Sequence, residues 1–365
     1  MKTRLGPARR EEAVDTFVRY TATPAAVSRL DCSTILDFKP MSDSARVRPS
    51  ASSVWLAGVS SSICVVAGGA VAAFLLGLCA SDFWICELLT HFRVHYALVL
   101  LAAGGLLLVC GGPKRGIAAV GAGLCISATL APLYWSPAES PPIMKWRLVS
   151  ANLFVGNQQP EKFVSFLEES RPDVVVCLEV TSKWAAVLDG LQTQYPHQVI
   201  EPRRGAFGVA LLSRLPLSDV RVEQASPDHP VIVASIKISG DDVATVVAVH
   251  PVPPVAPDWT ALRNQQLERI GQLASDCKRP VVLAGDLNTT SWSPVFAELL
   301  NTSGLRDSRA GFGIQASWPS GLVPLGIPID HVLISSELAV VRRWIGPDVG
   351  ADHRPIVIDL GLKNP

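Results

Sequence analysis

Residues 54–80 contain no Asp, Glu, Lys or Arg over 27 positions. A helix needs about 20 mainly apolar residues to cross a bilayer. A run of this length therefore has two fates, a membrane span or a helix buried on every side. Residues 96–112 and 116–134 are two further uncharged segments, rich in Gly and Ala, as membrane helices tolerate. Trp55, Trp84 and Trp135 lie near the ends of these segments, where an amphipathic ring suits the interface. Three such runs are hard to bury in one soluble core, so residues 54–135 are predicted to form a three-helix transmembrane region.

Basic residues orient it. Arg46 and Arg48 precede the first run, and Lys114-Arg115 sits in the second turn. The 81–95 connection balances Arg93 against Asp82 and Glu87. The positive-inside rule then places the N-terminus and the second turn in the cytoplasm, and everything after Trp135 on the outer face. Residues 1–53 are polar, without the apolar periodicity of a domain, and show no short signal-peptide core with a cleavage site. The first run is accordingly expected to be an uncleaved anchor. Met41, a few residues before it, is a candidate internal start.

The chain changes character after the Pro-rich linker, residues 136–144. From Lys145 to Pro365 there are 20 Lys and Arg against 23 Asp and Glu, a net of −3. Duplex DNA binders usually present a basic face, so this balance lowers the expectation of a polyanionic partner. The eight cysteines contain no C-x-x-C pair, which leaves disulfide, zinc and redox roles unsupported. Cys177 and Cys277 are read as small buried hydrophobes.

Within 145–365, strand-like and helix-like runs interleave. WRLVSANL, PDVVVCLEV, FGVALLSRLPL, VRVEQA, PVIVASIKI, VATVVAVH, PVVLAGDLN, IPIDHVLI, LAVVRRWI and RPIVIDL read as strands. PEKFVSFLEES reads as a short helix, and DWTALRNQQLERIGQLASD as the longest, with Leu262, Leu267, Ile270 and Leu273 on its apolar face. Strands outnumber helices, so the pattern favours an α/β fold of two packed sheets flanked by helices over a doubly wound parallel sheet.

Polar residues recur where these strands end. Asn152, Glu179, His250, Asp286 with Asn288, Asp330 with His331, and Asp352-His353 all sit at or beside strand termini. Alone, each reads as a cap or turn residue. Together they are the carboxylates, amides and imidazoles that a shared sheet edge would gather.

The segments SANL, VVCLEV, GVALLSR, VVAVHP, LAGDLNTT, PIDHVLI and ADHRP, in this order, resemble the endonuclease/exonuclease/phosphatase superfamily, the deoxyribonuclease-I-like fold. The resemblance spans Arg147 to Leu360, and the apolar runs ahead of it resemble bacterial membrane-attached members. It implies a two-sheet sandwich flanked by helices and a phosphoester hydrolase using Mg²⁺ or Mn²⁺. It further implies that Glu179, Asn152 and Asp352 serve the metal. Asp286 would position and deprotonate the attacking water, and Asn288 and His250 would hold water or phosphate oxygens. His353 would contact the phosphate, with Asp330 fixing its tautomer and supporting its charge. Phe154 stands where some nuclease members carry another acidic residue, which argues against the abasic-site DNA-repair branch. His331 and Arg354 are expected to be supporting residues, and Trp318 with the loop GLVPLGIP is expected to border the site or to pack on the domain.

The expected partners are a phosphoester substrate, either nucleic acid or phospholipid-derived, and the bilayer. Nothing points to a protein partner. The competing reading is a catalytically inactive, membrane-tethered binding module of the same fold.

Overall fold

The uncharged run 54–80 forms the body of helix α1, Ala51–Gly77, in the computed structural model, which describes residues 51–80, 83–110, 112–135, 142 and 145–363. The polar segment before residue 51, the alternative start at Met41, and linker residues 136–141, 143 and 144 lie outside the described residues. Helices α2 (Trp84–Thr90), α3 (Arg93–Val109) and α4 (Pro113–Ala128) follow.

All three expected spans are helical, but they differ in length. Among the described helices, only Ala57–Gly77 is alone long and apolar enough to cross a membrane. The other two helices have 17 and 16 residues, roughly 25 Å each at the helical rise. Helices α2 and α3 meet the same criterion only as a pair, bent by 61°. Glycines let α3 and α4 approach closely: a Cβ at Gly104 would lie 2.6 Å from Val120, and one at Gly116 2.7 Å from Leu108.

The 81–95 connection, read in sequence only for its charge balance, contains α2, which buries Cys86, Glu87 and Thr90 and packs on the downstream domain. The last part of the expected third span is also used for docking. After α4, a 3₁₀ turn at Ala131–Leu133 presents the Leu133 carbonyl to the amides of Gly311 (2.9 Å) and Gly313 (2.8 Å). The described residues all fall within one compact unit.

The remaining chain forms β1 (Lys145–Asn152), α5 (Pro160–Ser170), β2 (Val174–Leu178), α6 (Ser182–Asp189), β3 (His197–Glu201) and β4 (Val209–Ser213). Next come β5 (Leu217–Ser226), β6 (His229–Ser239), β7 (Asp242–Val249), α7 (Pro257–Ser275), β8 (Val281–Asp286) and α8 (Pro294–Ser303). It closes with β9 (Arg306–Asp307), β10 (Asp330–Ile334), β11 (Leu338–Ile345) and β12 (Ile356–Leu362).

Two six-stranded mixed sheets result, ordered β11-β12-β1-β2-β4-β3 and β5-β6-β7-β8-β10-β9. One face of each sheet meets the other in a core that includes Leu148, Val176, Ile232, Val246, Val282 and Ile358. The opposite faces are covered by α5 and α6 on the first sheet and by α7 and α8 on the second. Both faces of the central strands are thus apolar, which is why VVVCL and VVLAG read as unbroken runs rather than alternating ones.

Strand direction then positions the site. Strands β1 and β2 run parallel, as do β7 and β8, so Asn152, Glu179, His250 and Asp286 all emerge at one edge. Antiparallel β10 starts where β8 ends, with Asp330 paired in register to Asp286.

Candidate active site

Backbone geometry aims several of these side chains. Glu179 follows β2 in the left-handed region at φ 57°, and Asn288 follows β8 at φ 50°. Such conformations cost about 1–3 kcal/mol for a non-glycine residue and cluster at functional sites. Gly285 is required by close approach, since a Cβ there would meet the Val249 carbonyl oxygen at 1.9 Å. That tight β7–β8 contact brings His250 and Asp286 to the same height.

Asp286 is the hub. Its Oδ2 lies 3.6 Å from Nε2 of His250 and 3.6 Å from Nε2 of His353. It also accepts from Nδ2 of Asn152 at 3.3 Å, and its Oδ1 accepts the Asn288 amide at 2.9 Å. Asn152 donates to Glu179 Oε1 as well, at 3.1 Å, while its own Oδ1 is taken by the Phe154 amide. Behind His353, Nδ1 meets Asp330 Oδ2 at 2.8 Å. His250 donates from Nδ1 to the Ala206 carbonyl at 2.9 Å, which leaves Nε2 facing Asp286. Asn288 Nδ2 donates to the Pro251 carbonyl at 3.0 Å.

Charge is distributed unevenly over this set. Burial opposes a charge on His353, but Asp330 and Asp286 outweigh it and raise its pKa to about 10. Burial likewise works against a charged His250, and contact with Asp286 reverses that and raises it. Asp286, though buried, is held below the usual carboxylate range by His353 and His250. Asp330 is pushed up by burial and by Asp286, against the pull of His353. The result is a carboxylate between two imidazole rings, one of them fully cationic at neutral pH.

Two oxygen-rich groups could hold a metal. Donor atoms of Asp286, Asp330 and His353 lie within 4.8 Å of one another. Glu179 and Asp352, which line the same cavity, offer hard carboxylate oxygens of the kind Mg²⁺ takes. Asp352 Oδ2 accepts from Trp318 Nε1 at 3.3 Å, and its Oδ1 is buried with no hydrogen-bond partner among the described residues. That orphaned oxygen fits an ion. Asn152 turns its nitrogen, not its oxygen, toward the carboxylates, so it spaces them in this geometry.

His331 lies apart from the cluster. Its Nε2 meets the Thr289 carbonyl at 2.8 Å, its ring packs on Phe296, and burial lowers its pKa to about 4. Arg354 bonds through its backbone amide to the Ser317 carbonyl.

The cluster floors a cavity of about 740 Å³. Its outer walls include Pro253, Pro254, Val255 and Trp259, together with Trp318 and Ile327 from the stretch expected to border the site. Leu88, His91 and Phe92 complete it from the α2 region, and sequence reading gave no sign of them. It also missed Arg263. The apolar stripe of α7 was expected to include Leu262 and Leu273, which are half-buried, whereas Arg263 is completely buried. Its Nη1 donates to the Asn288 carbonyl at 2.8 Å, and Nη2 pairs with Glu87 of α2. Spacing was the available signal, because Arg263 lies four and seven residues before Leu267 and Ile270 on one helical stripe.

Residues 149–353 match the model of the Endonuclease/Exonuclease/phosphatase family. The chain belongs to this family. Its members hydrolyse phosphoester bonds, and they generally depend on a divalent metal. No curated protein matches the chain by sequence. Solved structures share the family fold. One is an endonuclease/exonuclease/phosphatase from Beutenbergia cavernae, 19% identical, covering 60% of this chain and 72% of its own at a TM-score of 0.51. Another is a humanised D. rerio TDP2 carrying 14 mutations, 16% identical, covering 60% and 99% at a TM-score of 0.51.

Proposed function

We propose that the protein is a membrane-anchored, divalent-metal-dependent phosphoesterase in which Asp286 orients the attacking water. The observation that carries this reading is the Asp286 carboxylate set 3.6 Å from both His250 and His353 at the base of a cavity. A water bonded to Asp286 is held in place for in-line attack at phosphorus. Because its neighbours depress its pKa, Asp286 is a weak base, and it accepts the water's proton late, as the P–O bond forms. His353, kept cationic by Asp330, and His250 face the phosphate oxygens, where negative charge accumulates. Asn288 adds a polar contact beside them. Glu179 and Asp352, with Asn152 alongside, would hold Mg²⁺ or Mn²⁺, which when bound neutralises phosphate and leaving-group charge.

Helix α1 supplies the anchor, with α3 and α4 as an out-and-back hairpin. The α2 region and the end of α4 both touch the catalytic domain, so they lie on its side of the bilayer. That fits an N-terminus on the opposite, cytoplasmic side. A reporter fused after Pro365 would be active only outside the cytoplasm, and activity inside would overturn the orientation.

The phosphoesterase reading is tested with the full chain in nanodiscs. Plasmid DNA, RNA, a phospholipid diester and bis-p-nitrophenyl phosphate are offered with Mg²⁺, Mn²⁺ or EDTA. Turnover that needs the metal supports the reading. A folded, metal-loaded protein that turns over none of them contradicts it.

A further inference from the structure

The cavity above Asp286 has two ends of opposite chemistry. At its base are His250, Asp286 and His353; away from it the lining is Leu88, Phe92, Pro254, Val255 and Trp259. An aromatic line leads outward from the base, from His250 to Phe207 (centroids 5.8 Å apart) and on to Trp259 (6.4 Å). Part of the apolar wall comes from the segment that joins α1 to α3, not from the catalytic domain. That segment is fixed there. Glu87 pairs with Arg263 and accepts from Ser293 Oγ at 2.8 Å, and His91 Nδ1 lies 3.1 Å from Thr290 Oγ1.

A second cavity, of about 490 Å³, also has Phe92 in its lining. It is lined by Val66 and Ala70 of α1, Tyr96 and Val99 of α3, and Leu325 of the loop before β10. Phe92, which is exposed, is the lining residue that the two cavities share, so they adjoin at its ring.

We propose that this cavity is a chamber for the apolar chain of a membrane phospholipid phosphoester, entered from between α1 and α3 past Phe92, with Leu88 and Phe92 as specificity-determining residues. The proposal rests on the phosphoesterase reading for the phosphate end and on the bilayer for the chain end. Aromatic rings can also stack a nucleobase. Three observations favour the chain: an apolar wall shared by Leu88, Phe92 and Val255, a second cavity among apolar helices that also borders Phe92, and a catalytic half whose net charge of −3 departs from the basic balance usual for polyanion binders.

The experiment uses the full chain in nanodiscs and two readouts. The first is kcat/KM for p-nitrophenyl alkyl phosphodiesters from methyl to dodecyl, with a short DNA oligonucleotide as competitor. Efficiency should climb by up to about four-fold per methylene buried, and Leu88→Asp should flatten the series. The second readout does not need turnover. A dodecyl phosphonate with a diazirine at the chain end should label residues 88–92 and 255–259, and Leu88→Asp should suppress that labelling. A flat series, stronger competition by the oligonucleotide, or labelling confined to the outer faces of α1 and α4 would overturn the chamber. Chamber labelling without hydrolysis of any ester would leave the chamber standing and remove the phosphoesterase reading.

Discussion

Glu87 of helix α2 and Arg263 of α7 form a buried ion pair, with Nη2–Oε distances of 2.5 and 2.6 Å, across 176 positions of sequence. Arg263 is completely buried and its Nη1 reaches the Asn288 carbonyl. The pair therefore connects the helical region directly to the loop that carries the Asp286 cluster.

Removing one partner of such a pair leaves the other charge buried and unmatched. Glu87→Ala should destabilise the full chain by about 3–5 kcal/mol, whereas Glu87→Leu with Arg263→Met should restore most of that. The double variant still lacks the bond to Asn288, so its kcat should stay reduced after its melting temperature recovers. Thermal unfolding and kinetics on the same nanodisc samples separate the two effects.

Asp330 is expected to act through His353. With Asp330→Asn, the largest attraction holding His353 cationic is lost, and its pKa should fall from about 10 by at least roughly one unit. The cation is the form present below the pKa, so the alkaline limb of the kcat profile should move to lower pH. An unmoved limb would assign Asp330 a structural role only.

His331 predicts the acid sensitivity of the fold. Burial holds its pKa near 4 in the native state, against about 6.5 unfolded. A depressed pKa contributes stability that is whole above 6.5 and lost as pH falls toward 4. The loss is at most about 3 kcal/mol. His331→Gln should weaken the fold at pH 7 but flatten the decline between pH 7 and 5, as read from unfolding midpoints.

EDTA should abolish hydrolysis, and Mg²⁺ or Mn²⁺ should restore it. Glu179→Gln should weaken metal binding by more than the roughly ten-fold that loss of an outer partner costs. Asp352→Asn should weaken it less, because one of its oxygens already serves Trp318. Isothermal titration with Mn²⁺ measures both.

The catalytic half of this chain was legible in sequence because its signals are local. VVVCL and VVLAG, apolar throughout, announce strands buried on both faces, and a polar residue directly after such a strand is conspicuous. Glu179 and Asp286 could be singled out for that reason. The helical half was legible only as three uncharged runs. The position of α2 depends on Glu87 finding Arg263, and in sequence both look like ordinary solvated charges. The same gap hid the cavity wall, since Leu88 and Phe92 border the site only after the two halves pack. Shorter elements such as α6 and α8 also escaped, having too few turns to show a period.

The most direct test of the central claim compares wild type with Asp286→Asn and His353→Gln, in full chains loaded with Mg²⁺, on whichever phosphoester wild type hydrolyses. Both replacements keep side-chain volume close to the original, and thermal unfolding of each variant confirms a folded state before its kinetics are read. The account predicts a fall in kcat of at least about 100-fold for each variant. Near-wild-type turnover in both, from proteins as stable as the parent, would contradict the assignment of this cluster as the active site.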